Sequence, residues 1–226
     1  DESGSIDEQA YMKKLSSDVR VVSIVHTSPV TGMTVDLEKI TKEVRNATPD
    51  CIIIVDGIQH SSHGAIDVQK YDIDGYVVSP YKMFSRHGYG VAWASDRLCT
   101  LNKEQLADGP FQNWELGTRD AGSYATFSDV VDYLDWLGSN FTESENTRER
   151  LEASSIAIKS HEQELVDLVI NGAEDIVGLR NNKKIQIIGT SDSKFREGVV
   201  SFFQKNKPSS ICLLYTSPSP RDGSIS

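Results

Sequence analysis

Apolar positions along the chain switch between strand-like runs and helical spacing. The run VRVVSIVH, Val19 to His26, is β-branched and of strand length, and the TSPVTG that follows carries the turn residues Pro29 and Gly32. This predicts a buried strand followed by a loop. Asp36 is placed to cap a helix, DLEKITKEVRNA, whose Leu37, Ile40 and Val44 recur at helical spacing and which stops before Pro49. CIIIVD, Cys51 to Asp56, predicts a second strand. A short helical segment around Val68 to Tyr71 leads to a third strand, Gly75 to Ser79, and Gly90 to Ser95 gives a fourth. Strand, helix, strand, crossover and strand is the rhythm of an α/β fold with a mostly parallel sheet.

Beyond Gly117 the pattern turns helical. SDVVDYLDWLG predicts a helix over Ser128 to Gly138, and a long polar amphipathic run extends from Thr142 to about Val177. Two further strands, Lys184 to Gly189 and Gly198 to Gln204, predict the start of a small C-terminal α/β domain. The expected division is residues 1–138 as part of a large domain, 139–211 as an interdomain helix with part of a small domain, and 212–226 as a tail. The tail changes composition abruptly, and its CLLYTSPSPRD matches the translation of a sequencing-library adapter. It is set aside from the fold.

Charge narrows the classes of partner. A formal net charge of -10 with no clustered Lys and Arg argues against a nucleic-acid surface. No apolar run approaches the roughly 20 residues that span a bilayer. The three cysteines, Cys51, Cys99 and Cys212, show neither metal-ligand spacing nor a disulfide framework, and this fits a reducing, cytoplasmic setting. Cys51 and Cys99 read as small packed residues, not as catalytic thiols.

Candidate chemistry collects where parallel strands end, because loops and helix N-termini converge there. His26 closes the first strand, Asp56 the second, and Ser79 with Lys82 the third. An acid directly after CIIIV needs a cationic or protonated partner. A lysine desolvated by Tyr81, Met83 and Phe84 would offer a nucleophilic amine. From the residues alone, this is an anionic, lysine-bearing pocket in an α/β domain. Each of these residues also has an ordinary reading, a cap or turn for Asp56 and a solvated loop for Lys82.

The run DGIQHSSHGAIDVQKYDIDGYVVSPYK, Asp56 to Lys82, resembles the signature of the class V aminotransferase and cysteine desulfurase family of pyridoxal-phosphate (PLP) enzymes. The likeness extends to Ile66, Asp67 and Val68 and to the paired Asp72 and Asp74. It implies PLP-dependent transferase fold type I. It also implies that Asp56 pairs with the pyridine nitrogen, Gln59 hydrogen-bonds the ring hydroxyl, and Ser79 contacts the phosphate. Lys82 would form the Schiff base and then move the proton at the substrate α-carbon. His63 matches a family position. ELGTRDAGSYATFSDVVDYLDWLG, Glu115 to Gly138, resembles the Gly-Thr segment, whose Thr118 would reach the cofactor phosphate of a neighbouring subunit; Arg119 is a further candidate anion contact.

The resemblance spans about Gly4 to Ser210 and also has departures. Tyr81 stands where many desulfurases carry His, Pro29 replaces an Asn that helps to hold substrate carboxylate, and SRHGYG (Ser85 to Gly90) replaces a Gly-Pro-x-Gly sequence. The expected function is removal of sulfur, or of a related substituent, from a small amino acid by a homodimeric enzyme. An aminotransferase, an epimerase, a kynureninase-like lyase and a non-catalytic partner-binding homologue are the alternatives. The family's phosphate turn, stacking aromatic, sulfur-accepting Cys and substrate Arg are expected outside these residues, so the 226-residue chain is expected to be inactive by itself.

Overall fold

The computed structural model describes residues 4, 6–107, 114, 116–117, 120–192 and 195–208. A short helix α1 (Glu8–Met12) precedes β1 (Val21–Val25), α2 (Leu37–Ala47), β2 (Ile52–Asp56), β3 (Gly75–Val78) and β4 (Val91–Ala94). These four strands form one sheet in the order β1-β2-β3-β4. β1, β2 and β3 run parallel, and β4 returns antiparallel to β3 with Val78 opposite Val91. The mostly parallel α/β reading therefore holds.

One face of this sheet makes the core. Val22 and Ile24 of β1 and Ile53 and Val55 of β2 point into a cluster with Leu37, Ile40 and Val44 of α2, joined by Cys51, Ile73 and Tyr76. Burying such β-branched and aliphatic side chains contributes roughly 1.5–3 kcal/mol each. Asp36 caps α2 as its pattern predicted, its side chain accepting from the Lys39 amide at 3.0 Å. β1 differs from expectation in one respect. It is buried at alternate residues only, with Val21 and Val25 exposed, because only the face that carries Val22 and Ile24 is packed into the core.

A second difference is at Val68 to Tyr71, which is a series of turns and not a helix. The Asp67 carboxylate accepts from the Gln69 amide at 3.2 Å, and its carbonyl accepts from Lys70 at 3.1 Å. Such local Asp bonding competes with helix formation, and four residues are too few to nucleate a helix alone. Asp72 then takes φ 46, which brings the chain into β3.

After a single-turn helix α3 (Asp96–Cys99), two long helices α4 (Ala121–Gly138) and α5 (Thr147–Asn171) pack together. α4 starts seven residues before Ser128 because Asp120 caps it, accepting from Ser123 N at 3.3 Å. Its last residue has to be Gly138, since a Cβ there would lie 1.9 Å from the Arg150 carbonyl oxygen of α5. α5 ends at Asn171, short of Val177, because Gly172 turns to φ 89 and starts a two-strand hairpin, β5 (Gly172–Ala173) with β6 (Ile176–Val177). β7 (Ile185–Ile187) and β8 (Phe202–Gln204) pair antiparallel, inside the two predicted C-terminal strands. No helix among the described residues is long and apolar enough to cross a membrane.

Two buried polar groups connect these parts. Asp74, 3% exposed, accepts from the Ile53 amide at 2.9 Å, from Arg45 at 2.7 Å and from the Ser95 hydroxyl at 3.3 Å. Arg196, 1% exposed, donates to the carbonyls of Thr31 at 2.6 Å, Val199 at 2.9 Å and Thr190 at 3.1 Å, and also to Ile188. At the end of β1, His26 is buried with its Nδ1 2.9 Å from the Tyr76 hydroxyl and its ring stacked on His60 at 3.5 Å. Burial, with smaller contributions from His60 and Lys159, pushes the His26 imidazole down to about 2. Burial likewise raises the Tyr76 phenol, so both groups stay neutral, and the imidazole tautomer decides which of them donates.

Asp74→Ala would leave Arg45 and the Ile53 amide without their shared acceptor. We expect a loss of about 3–5 kcal/mol, read from the urea unfolding midpoint. His26 generates a pH prediction. Its folded value lies below the ordinary 6.5, so the unfolded state takes up the proton and the contribution to stability, complete above about pH 6.5, is lost as pH falls towards 2. At pH 5 the penalty is about 2 kcal/mol. Urea midpoints at pH 7 and pH 5 should therefore differ more in the wild-type chain than in His26→Gln.

Candidate functional site

The carboxyl ends of β2 and β3 lie side by side. Asp56 is opposite Val77 in the parallel register, and the Gly57 amide donates to the Val77 carbonyl at 3.0 Å. Each strand then breaks into a single 3-10 turn, His60–Ser62 after β2 and Pro80–Lys82 after β3. Pro80 at the first position of the second turn starts it without loss of an amide bond. Gly57 is fixed by crowding, because a Cβ there would meet the Tyr76 ring at 2.1 Å.

These turns bring the predicted residues to one edge. Lys82 Nζ donates to Gln59 Oε1 at 2.6 Å, a direct contact between two of them. Asp56 is half-buried, and its Oδ1 accepts from the Ile58 amide at 3.0 Å. Ser79 is half-buried at the start of the Lys82 turn, where its carbonyl accepts from the Lys82 amide at 3.0 Å and its hydroxyl makes no capping bond. Thr118 and Arg119 lie outside the described residues. The expected apolar surround of Lys82 is not found. Tyr81 and Phe84 are exposed, Tyr81 stacks on His87 at 4.2 Å, and the amine meets a polar amide.

Behind this edge is a layer of partners of which the sequence marked only His63. His63, half-buried, places Nε2 2.9 Å from Gln59 Nε2 and Nδ1 2.8 Å from the Glu162 carboxylate on α5. Burial pulls the His63 imidazole down, but the Glu162 hydrogen bond and the charges of Glu162 and Glu197 outweigh it, and the net direction is up. His60 Nδ1 donates to the buried Glu197 at 2.5 Å. Glu162 and Glu197 lie 99 and 137 residues from their histidines, so no local spacing could have marked them.

The loop that carries Lys82 is also tied to α4. Arg86 pairs with Asp120, and the Ser85 hydroxyl donates to Thr126 at 3.0 Å and lies 2.6 Å from the Tyr89 hydroxyl. The unusual SRHGYG segment thus has a structural use. A hollow of about 760 Å3, lined by Tyr11, Ser28, Pro29, Thr34, Asp36 and Lys39 among others, lies elsewhere and includes none of Asp56, Gln59, Ser79 or Lys82. The reactive side chains, not that hollow, define the candidate site.

A carboxylate, an amide, a hydroxyl and an amine on adjoining strand ends make a donor set suited to a polar aromatic cofactor with an anionic group. Several known proteins share the sequence or the fold. A cysteine desulfurase of Wigglesworthia glossinidia brevipalpis is 34% identical over 96 residues, covering 42% of this chain and 23% of that protein. A probable cysteine desulfurase 2 of Mycobacterium leprae is 24% identical over 214 residues, covering 88% and 45%. Among solved structures, the apo cysteine desulfurase of Thermococcus onnurineus NA1 superposes with a TM-score of 0.69 at 21% identity, over 95% of this chain and 52% of that one. The S-sulfonic acid form of the cysteine desulfurase CsdA of Escherichia coli gives 0.67 at 19%, over 93% and 49%. The chain thus spans about half the length, or less, of these relatives, and the likeness shows that its sheet and helices are part of fold type I. A sequence model described as aminotransferase class-V matches residues 1–213, and the chain belongs to that family.

Proposed function

We propose that this chain is part of a PLP-dependent, cysteine desulfurase-like enzyme that removes sulfur, or a related group, from a small amino acid. The observation that carries this reading is the 2.6 Å contact of Lys82 with Gln59 at the strand edge that also bears Asp56. A lysine held by an amide beside a half-buried carboxylate suits an amine that has to be positioned for chemistry.

When bound, PLP supplies an electron sink for charge that develops at the substrate α-carbon. Asp56 would hold its pyridine nitrogen by an opposite charge, Gln59 its ring hydroxyl, and Ser79 with Thr118 its phosphate. The Lys82 amine is the group that would accept and return the α-proton, and its turn sets where that proton can be taken. The Arg86–Asp120 and Ser85–Thr126 ties would fix the Lys82 loop relative to α4. A homodimer, with Thr118 serving the neighbouring subunit, and a cytoplasmic setting belong to the same proposal.

In the full-length protein loaded with PLP and given a thiol reductant in excess, we expect cysteine to yield alanine, with the transferred sulfur reduced to sulfide as the thiol is oxidised to its disulfide, and borohydride to fix an adduct on Lys82. A colourless protein with no Lys82 adduct would overturn the cofactor reading, whereas an adduct with amino-group transfer and no sulfide would overturn the substrate reading. Lys82→Ala should lower kcat by about 10²–10⁴-fold, the range for loss of a positioned acid–base group, without a matching rise in KM. Asp56→Asn preserves shape but removes the charge, and should reduce kcat more than cofactor content.

A further inference from the structure

Lys82 stands at one end of a continuous chain of polar contacts built by three separate elements. Lys82 in the turn after β3 meets Gln59 in the turn after β2 at 2.6 Å, Gln59 meets His63 at 2.9 Å, and His63 meets Glu162 of α5 at 2.8 Å. An ammonium group only donates, so the amide oxygen faces Lys82 and the amide NH2 faces His63. His63 Nε2 must then accept. This orientation of the amide corresponds to a neutral His63 with its proton on Nδ1, donated to Glu162, beside a charged Lys82, even though Glu162 and Glu197 favour the imidazolium.

The opposite charge state requires the opposite amide. An imidazolium donates from both nitrogens, so Gln59 would have to turn its oxygen to His63 and its NH2 to Lys82, which can accept only as a neutral amine. A doubly charged pair would set an N–H against the amide NH2 or leave an ammonium facing it, with the loss of a partly buried hydrogen bond. Glu162 accepts from Nδ1 in both arrangements. Gly198 leaves room for this carboxylate, since a Cβ there would lie 3.2 Å from its Cδ.

We propose that Gln59 makes the charges on Lys82 and His63 mutually exclusive, so that His63 takes up a proton only when Lys82 has given one up. Taken with the reading of Lys82 as the working amine, this deepens the proposed function. Each time the amine loses its charge, one proton leaves Lys82 to solvent and one enters His63 from solvent, and the site keeps a single positive charge. His63 and Glu162 are positioning residues in this scheme. The charged groups facing His63 are Glu162 from α5, Glu197 from the segment before β8, and Lys82; the first two favour its protonation and Lys82 opposes it.

Nitrogen-15 histidine NMR on the full chain without cofactor tests this and needs no catalysis. The neutral His63 of the wild type should be the Nδ1–H tautomer. Lys82→Met should raise the His63 titration midpoint by about one unit, a tenfold change in protonation ratio. In a Gln59→Leu background the same change should add no more than about a third of that, while Glu162→Gln should lower the midpoint. An Nε2–H tautomer in the wild type, or an equal Lys82 increment with and without Gln59, would overturn the coupling. The tautomer is read in the wild type and so does not depend on any variant folding. Absence of a borohydride adduct on Lys82 would count against the cofactor reading alone and leave these NMR outcomes standing.

Discussion

A carboxylate with 3% of its surface in contact with water is tolerable only if donors surround it, and Asp74 finds them on four segments. The Ile53 amide is in β2, Arg45 is near the end of α2, Ser95 follows β4, and Arg97 of α3 lies 3.5 Å from the same carboxylate. The backbone of Asp74 adds two ladder bonds, to Ile53 and from Ser95. This one residue, directly before β3, thereby fixes how β2, β3 and β4 align and where α2 ends against them. The functional edge depends on that alignment. A shift of one residue between β2 and β3 would reverse which side chains face the core and carry Asp56 away from the Lys82 turn.

Much of this was legible in the sequence wherever a signal is local. The β-branched runs became β1, β2 and β3, the Asp36 cap became the start of α2, and the order of strand ends placed Asp56, Ser79 and Lys82 together. Local signals also misled. Val68 and Tyr71 have helical spacing, but Asp67 closes a turn on the intervening amides. The α5 pattern ran on to Val177 because apolar spacing continues through a hairpin whose turn is set by Gly172. For α4 the error was in the other direction. Its first turns contain Gly122, Ser123 and Thr126, poor helix formers, and the Asp120 cap compensates for them.

The site was legible to a different depth. The residues that would touch a cofactor sit within a short stretch, and the family pattern contains them. Their supports come from far along the chain. Glu162 and Glu197 reach His63 and His60 only after the long helices and the C-terminal hairpin have folded back, and nothing in the spacing of acids and histidines distinguishes these two from the carboxylates that stay at the surface. The expected desolvation of Lys82 failed for a related reason. Sequence neighbours in a 3-10 turn point in different directions, so Tyr81 and Phe84 face outward and the amine is oriented by an amide from the adjacent strand end.

The Arg196 guanidinium joins the loop after β1 to the C-terminal segment across 165 residues of sequence. On a ribosome adding roughly 5–20 residues per second, the Thr31 carbonyl is made about 8 to 33 s before its donor. Through that interval the loop at Pro29 to Gly32 has its own turn bonds but lacks the guanidinium that later ties it to the C-terminal segment. A contact of such high sequence separation forms late and slowly. The same guanidinium that locks the finished structure therefore imposes a period of exposure during synthesis, when a holdase or a rapid partner would have most to protect.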